Sequence, residues 1–247
     1  MKINTGRLRD VKQKLSNRLD KYRELKKQRG MTLLEIIIVL GIIGVIAAGV
    51  VILAQRAYDT KAMTDLANNA NTIRTAVKDA YGPSGAYPAA NTANTIAMTT
   101  ANYTTTDSLT TPVGKLMALG KLSVDEAQNN ISGNFINVGQ GQIGAKTDAG
   151  YFIELNGLNA KQCRNLLNQM ANNWDYVQVI DTEPAGTYTQ TSVKLDAPAT
   201  PIVAGTPITT GVFRSLDSAT GAQTITPDMA VSACSDNSSN ALLLGSR

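Results

Sequence analysis

Apolar positions along this chain change their period twice. From Ile36 to Ala54 they are continuous: IIIVLGIIGVIAAGVVILA is nineteen residues without a charge. As a helix it covers about 28 Å at about 1.5 Å per residue, close to the depth of a bilayer's hydrocarbon core. A helix apolar around its whole circumference and abutted by a basic stretch reads as a membrane span rather than as the core helix of a soluble domain. Past it the pattern becomes one-sided. Ala62, Leu66, Ala70, Ile73, Val77 and Tyr81 recur every three or four residues, with Lys61, Asp65, Arg74 and Asp79 elsewhere on the surface, until Gly82-Pro83 ends the run. Residues 31–81 therefore predict one helix of about 75 Å whose second half needs a sheet to cover it.

Short β-favouring runs supply that sheet: Phe135 to Val138, Tyr151 to Leu155, Tyr176 to Ile180 and Gly211 to Leu216. A helix at Asn159 to Ala171 separates the second from the third. A shorter helix is expected from Pro112 to Leu119, and Ser123-Val-Asp-Glu126 has the spacing of a capping box. This order fits an α+β fold, an antiparallel sheet packed on the N-terminal helix, better than a repeating βαβ array. Residues 84–112, rich in Ala, Asn, Thr and Pro, read as a long polar connection. The stretch from Thr182 to Pro207 carries four prolines and reads as loop with an occasional edge strand, and Leu242-Leu243-Leu244 as a closing strand in the core.

Charge sharpens the topology. The whole chain carries +4, but residues 1–30 hold 11 Lys+Arg against 3 Asp+Glu, a net of +8, and the remainder is −4. Positive charge ahead of a span holds the N-terminus in the cytoplasm and sends the following chain across the membrane. Cys163 and Cys234, the two cysteines, then lie in a compartment where disulfides persist. Pairing is the simplest reading, with two free buried thiols the alternative. With no histidine in the chain, two thiolates do not close a zinc shell, and the usual catalytic triads lack their base. No metal, no cofactor and no catalytic residue is expected, and the protein is not read as an enzyme.

Three further motifs carry no chemistry. Gly139-Gln-Gly141-Gln-Ile-Gly144 has the spacing of a dinucleotide loop, yet strand pattern follows it where a helix is needed, so it reads as a hairpin loop. Asp125 and Glu126 are neighbours that point apart on a helix and read as solvated. The basic leader holds Tyr22 alone among aromatics, so the interleaving that stacks bases is missing and no nucleic-acid partner is expected.

At the junction between leader and span stands Gln28-Arg29-Gly30-Met31-Thr32-Leu33-Leu34-Glu35. Gly30 followed by MTLLEIIIVLGIIGVIAAGVVILAQRA closely resembles the processing site and N-terminal helix of type IV prepilins, and in particular of the type IVb pilins. The leader of thirty residues and Met at the first mature position are like that group. The resemblance implies cleavage between Gly30 and Met31 by a prepilin peptidase, N-methylation of Met31, and retention of the apolar helix. Asn159-Ala-Lys-Gln-Cys163 resembles the helix that bears the first cysteine of a C-terminal disulfide loop in the group, which implies Cys163–Cys234.

A carboxylate a turn into a lipid-facing helix is costly and needs a partner. The cleavage that the resemblance implies would free an amine on Met31 of a neighbouring subunit as the cation for Glu35, a pair that exists only in an assembly and would set its register; the alternative is a Glu35 that snorkels to the interface. Gly41, Gly44, Ala48 and Gly49 include a small-xxx-small spacing that lets helix backbones approach, and glycines also weaken a helix interior. The expected organisation is a removed leader at 1–30, an apolar polymerisation helix at 31–54, its amphipathic continuation at 55–82 and a head at 83–247. The expected protein is the major subunit of a type IVb pilus, first anchored in the inner membrane with its head periplasmic, then polymerised into an extracellular filament for adhesion, aggregation and colonisation. Its partners would be its own copies, the peptidase and assembly machinery, with room for a host-surface receptor. The alternatives are a pseudopilin or minor pilin, or a membrane-anchored binding module.

Overall fold

The computed structural model describes residues 13–20, 32–201 and 210–247. It divides into two compact units, Met1–Arg56 and Ala57–Arg247. In the first, residues 13–20 are helical and helix α1 begins at Leu33. α1 spans Leu33–Tyr81 without a break, and its continuation from Ala57 belongs to the second unit.

Within that second unit, α1 turns a single stripe inward: Met63, Leu66, Ala67, Ala70, Ile73, Ala76 and Val77 are buried, the i, i+3, i+4 repeat of a helix lying on a core. Helices α2 (Thr92–Ala97), α3 (Pro112–Ala118) and α4 (Val124–Ala127) follow. Asn91, Thr111 and Ser123 each accept a bond from the first turn of the helix they precede. At α4 the expected capping box is complete, the Glu126 carboxylate accepting from the Ser123 backbone at 2.8 Å. Asn69 ties α1 to this connection through the carbonyls of Asp125 and Gln128, at 2.9 and 3.0 Å. The 84–112 connection is less polar than its composition suggests, for Tyr87 and Met98 are buried in the main core.

Six strands form one sheet in the order β4-β1-β2-β6-β3-β5, with β1 Asn137–Ile143, β2 Lys146–Leu158, β3 Tyr176–Ile180, β4 Ser192–Lys194, β5 Gly211–Arg214 and β6 Asn240–Ser246. Helix α5 (Ala160–Met170) links β2 to β3 and α6 (Pro227–Ala233) precedes β6. All pairings are antiparallel except β1 with β4, so the sheet is mixed. The edge is parallel because the chain leaving β3 comes back alongside β1 in the same sense. Gly186 N bonds Asn134, Tyr188 Oη bonds the Phe135 carbonyl, and Gln140 then faces Ser192.

Both faces of this sheet are covered. Alternate residues of one strand enter different clusters: Leu242 and Leu244 join Ile153, Leu155, Val177 and the α1 stripe, while Ala241 and Leu243 join Phe152, Tyr176, Ile180, Val193 and Leu195. Three consecutive leucines are what a strand buried on both sides needs. On the second face Leu195 rests on a floor of glycines. A Cβ at Gly141, Gly150 or Gly245 would stand 2.5, 2.6 or 2.6 Å from its methyl groups, closer than packed carbons approach.

Gly139 and Gly141 are therefore strand residues, where the spacing suggested a loop. Gly139 is bare because the Phe152 ring and Ala90 occupy its place. Only Gly144, with φ +57°, serves the hairpin turn itself.

Candidate functional site

The features that set this chain apart lie at two places, one in each unit. In the first, every residue from 32 to 53 is exposed, Leu33 at 77% and Leu40 at 62%. Twenty apolar residues with no cover among the described residues need another apolar environment, lipid or the same stretch of a second copy. The helix starts cleanly at its polar boundary, where Thr32 accepts the Glu35 amide through its side chain at 3.3 Å and the Ile36 amide through its carbonyl at 3.2 Å.

Glu35 stands in the first turn of α1, the favourable end of the helix dipole for a carboxylate. Gly30 and Met31, the expected cleavage and methylation positions, lie outside the described residues. Gly41, Gly44, Ala48 and Gly49 are all exposed, and a Cβ at any of the three glycines would meet nothing within 4 Å. Packing inside the chain does not require them. Each costs its helix about 1 kcal/mol relative to alanine, so their reason is local backbone freedom or a neighbour.

The second place is the disulfide of the head. Cys163 and Cys234 are bonded, so α5 is stapled to the residue that follows α6. Asn159 caps α5 with a reciprocal box through Gln162, which fixes where Cys163 falls on the inward face; both cysteines are buried in the main core. Arg164, beside the first cysteine, donates to the Cys234 carbonyl at 3.1 Å and to Asp236 at 2.8 Å. This second fastening was missed in the sequence, where an arginine next to a cysteine carries no signal of its own.

Among the described residues no group of three or more His, Cys, Asp or Glu could hold a metal ion. Glu126 is held below the usual carboxylate range by the Ser123 backbone amide first and the Ser123 hydroxyl second. It serves a helix start. Arg74 lies 4.6 Å from the Trp174 ring centre and donates to the Asn173 carbonyl at 2.8 Å, joining α1 to the turn ahead of β3.

Residues 25–51 match the prokaryotic N-terminal methylation motif. Two curated relatives are toxin coregulated pilins, one from Vibrio cholerae at 40% identity and one from V. cholerae serotype O1 El Tor at 37%, each over 152 residues. These matches cover 62% of this chain and 62% of each relative's length. The crystal structure of TcpA, a type IV pilin from the V. cholerae El Tor biotype, superposes with a TM-score of 0.56 at 19% identity, covering 76% of this chain and 99% of that one.

The chain has the type IV pilin fold. Motif and relatives liken the chain to type IV pilins over part of its length, and the fold agrees with them.

Proposed function

We propose that this chain is the repeating subunit of a type IVb pilus. One observation carries the reading: an apolar helix exposed from 32 to 53 holds one acid, Glu35, at the fifth position after Gly30. A tether needs the apolar length but not the acid. A polymer needs both, the length for contact area and the acid for register.

In this reading the basic leader, 1–30, orients insertion into the inner membrane and is then removed after Gly30. Residues 31–54 act as membrane anchor and then as filament core. Residues 55–82 carry the head, 83–247, which lies on the periplasmic side before assembly and outside the cell after it. The N-methylated amine of Met31 keeps its positive charge and meets Glu35 of a neighbour. Breaking a buried ion pair by deleting one member costs about 3–5 kcal/mol, so mis-staggered subunits are selected against. Gly41, Gly44, Ala48 and Gly49 form the surface across which helices approach. Prepilin peptidase and the assembly machinery are the processing partners, and adhesion, aggregation and colonisation are the roles of the filament.

The mass of the mature N-terminal peptide tests the reading in one measurement. We expect a peptide beginning at Met31 and heavier by one methyl group. A filament whose subunits retain residues 1–30 overturns the scheme, and an uncleaved, unassembled protein supports an anchored binding module instead.

A further inference from the structure

Two carboxylates are buried together on the second face of the sheet. Glu154 lies on β2, with Asn137 and Leu243 as its cross-strand neighbours; Glu183 opens the segment 183–190 that follows β3. Neither side chain reaches solvent. One oxygen of each is well served: Glu154 Oε2 accepts from Asn137 Nδ2 at 2.6 Å, and Glu183 Oε1 accepts from the Thr189 amide at 3.0 Å and from the Thr189 hydroxyl.

The other oxygens, Glu154 Oε1 and Glu183 Oε2, are buried without a hydrogen-bond partner, and the two acids are held side by side: the Asn137 amide that serves Glu154 also donates to the Gln190 carbonyl at 3.1 Å, one residue from the Thr189 that serves Glu183. Ionised carboxylates only accept. Two of them buried side by side need a proton on one.

Among the described residues, the groups facing the pair offer no cation. They are the Asn137 amide from β1, the Gln190 backbone from the returning segment, Leu243 from β6, and the Tyr188 hydroxyl, which is engaged with the Phe135 carbonyl at 2.6 Å. Burial first, then the neighbouring Glu183 carboxylate hold the Glu154 carboxyl well above the ordinary glutamate range. Burial and the same two acids push Tyr188 up, which leaves it a neutral donor.

We propose that Glu154 is held protonated against Glu183 and that the pair forms a latch that holds segment 183–190 on the sheet, opened as rising pH removes that proton. The segment is otherwise fastened by neutral bonds: Gly157 N to the Glu183 carbonyl at 3.1 Å, Glu183 N to the Ser239 carbonyl at 2.8 Å, and Asn156 Nδ2 to the Thr187 carbonyl at 2.9 Å. When the Glu154 proton passes to hydroxide, a second negative charge is buried beside Glu183. The relief is for Glu183 to swing out, taking with it Thr189 and then Tyr188, so the start of the parallel edge strand β4 loosens.

The sign follows from the raised value of Glu154. Its contribution to stability is complete below the ordinary glutamate range and is lost as pH rises from there through the folded-state value. In that window the folding equilibrium falls by up to roughly tenfold per pH unit.

The test uses the full chain in detergent micelles. Infrared spectra at neutral pH should show the carbonyl stretch of a protonated carboxylic acid, absent from Glu154→Gln. Denaturation across pH 5–9 should show a stability decline in the wild type that flattens in Glu154→Gln, whose amide places a permanent donor against Glu183 and its oxygen against Asn137. Hydrogen exchange, corrected for intrinsic pH dependence, should rise at 183–190 before it rises in β2 and β6. A missing acid band, a band that persists in Glu154→Gln, or stabilisation by millimolar Ca²⁺ that a chelator reverses would each overturn the proposal, the last by putting a cation where the proton is placed. If the glutamine variant fails to fold, the wild-type band and its loss on alkaline titration still decide.

Discussion

The two stretches of α1 put apolar residues to opposite uses. Between Met63 and Val77 seven residues are buried and the apolar ones form a stripe that the head covers itself. Between Leu33 and Leu53 the apolar residues run all round and every one is exposed. The first stretch completes a fold. The second completes nothing among the described residues, and a Cβ at any of its three glycines would meet nothing within 4 Å. Same helix, same backbone hydrogen bonding: what separates the two is whether the apolar surface has a partner in the chain.

Substitutions can break or sharpen this contrast, and the largest effect is expected in the stretch that has no internal partner. Glu35→Ala should leave insertion and processing intact and abolish filaments, as read by membrane fractionation and electron microscopy of sheared material. Abundant normal filaments from this variant would remove Glu35 from the register scheme. In the head, the Cys163→Ser, Cys234→Ser double variant opens a loop of 71 residues in sequence separation and should lower stability by about 4 kcal/mol in denaturant unfolding.

Leu66→Ala, in the buried stripe, should cost about 2–5 kcal/mol of head stability. Ile46→Ala, at an exposed position of the same helix, should change it by less than about 0.5 kcal/mol while reducing filament yield. Equal effects of the two on the isolated subunit would erase the contrast. The smallest expected effect is at the α4 cap. Ser123→Ala should cost about 1 kcal/mol and let the Glu126 carboxyl rise toward its ordinary value, followed by NMR titration. Because that value is depressed in the fold, the stability it contributes is present above the ordinary glutamate range and is lost as pH falls through the folded-state value.

Much of this was legible in advance where the signal is local. The period of Leu66, Ala70, Ile73 and Val77, the Gly82-Pro83 stop, the Ser123 box and the Asn159 helix start all depend on residues within a turn or two of one another. The strands were found with less reach, β2 running from Lys146 to Leu158 around a core expected at Tyr151 to Leu155. The glycines at 139 and 141 were misplaced into a loop because their reason, the Phe152 ring and Leu195, lies on other strands. Glu154 drew no attention as a single acid in a strand run, since nothing nearby in sequence reveals that Glu183 is its neighbour.

The amino-acid sequence by itself determined the apolar span, the basic stretch before it, the lone acid at Glu35 and the helix that continues to Tyr81, because each is a matter of spacing along one local axis. Tertiary structure alone decided that β4 runs parallel to β1, that Leu195 rests on bare glycines and that two glutamates lie together out of reach of water. Such contacts depend on strand register and on the return path of the chain. A one-residue shift in register moves every side chain to the other face, and no local pattern records which register the whole molecule makes most stable.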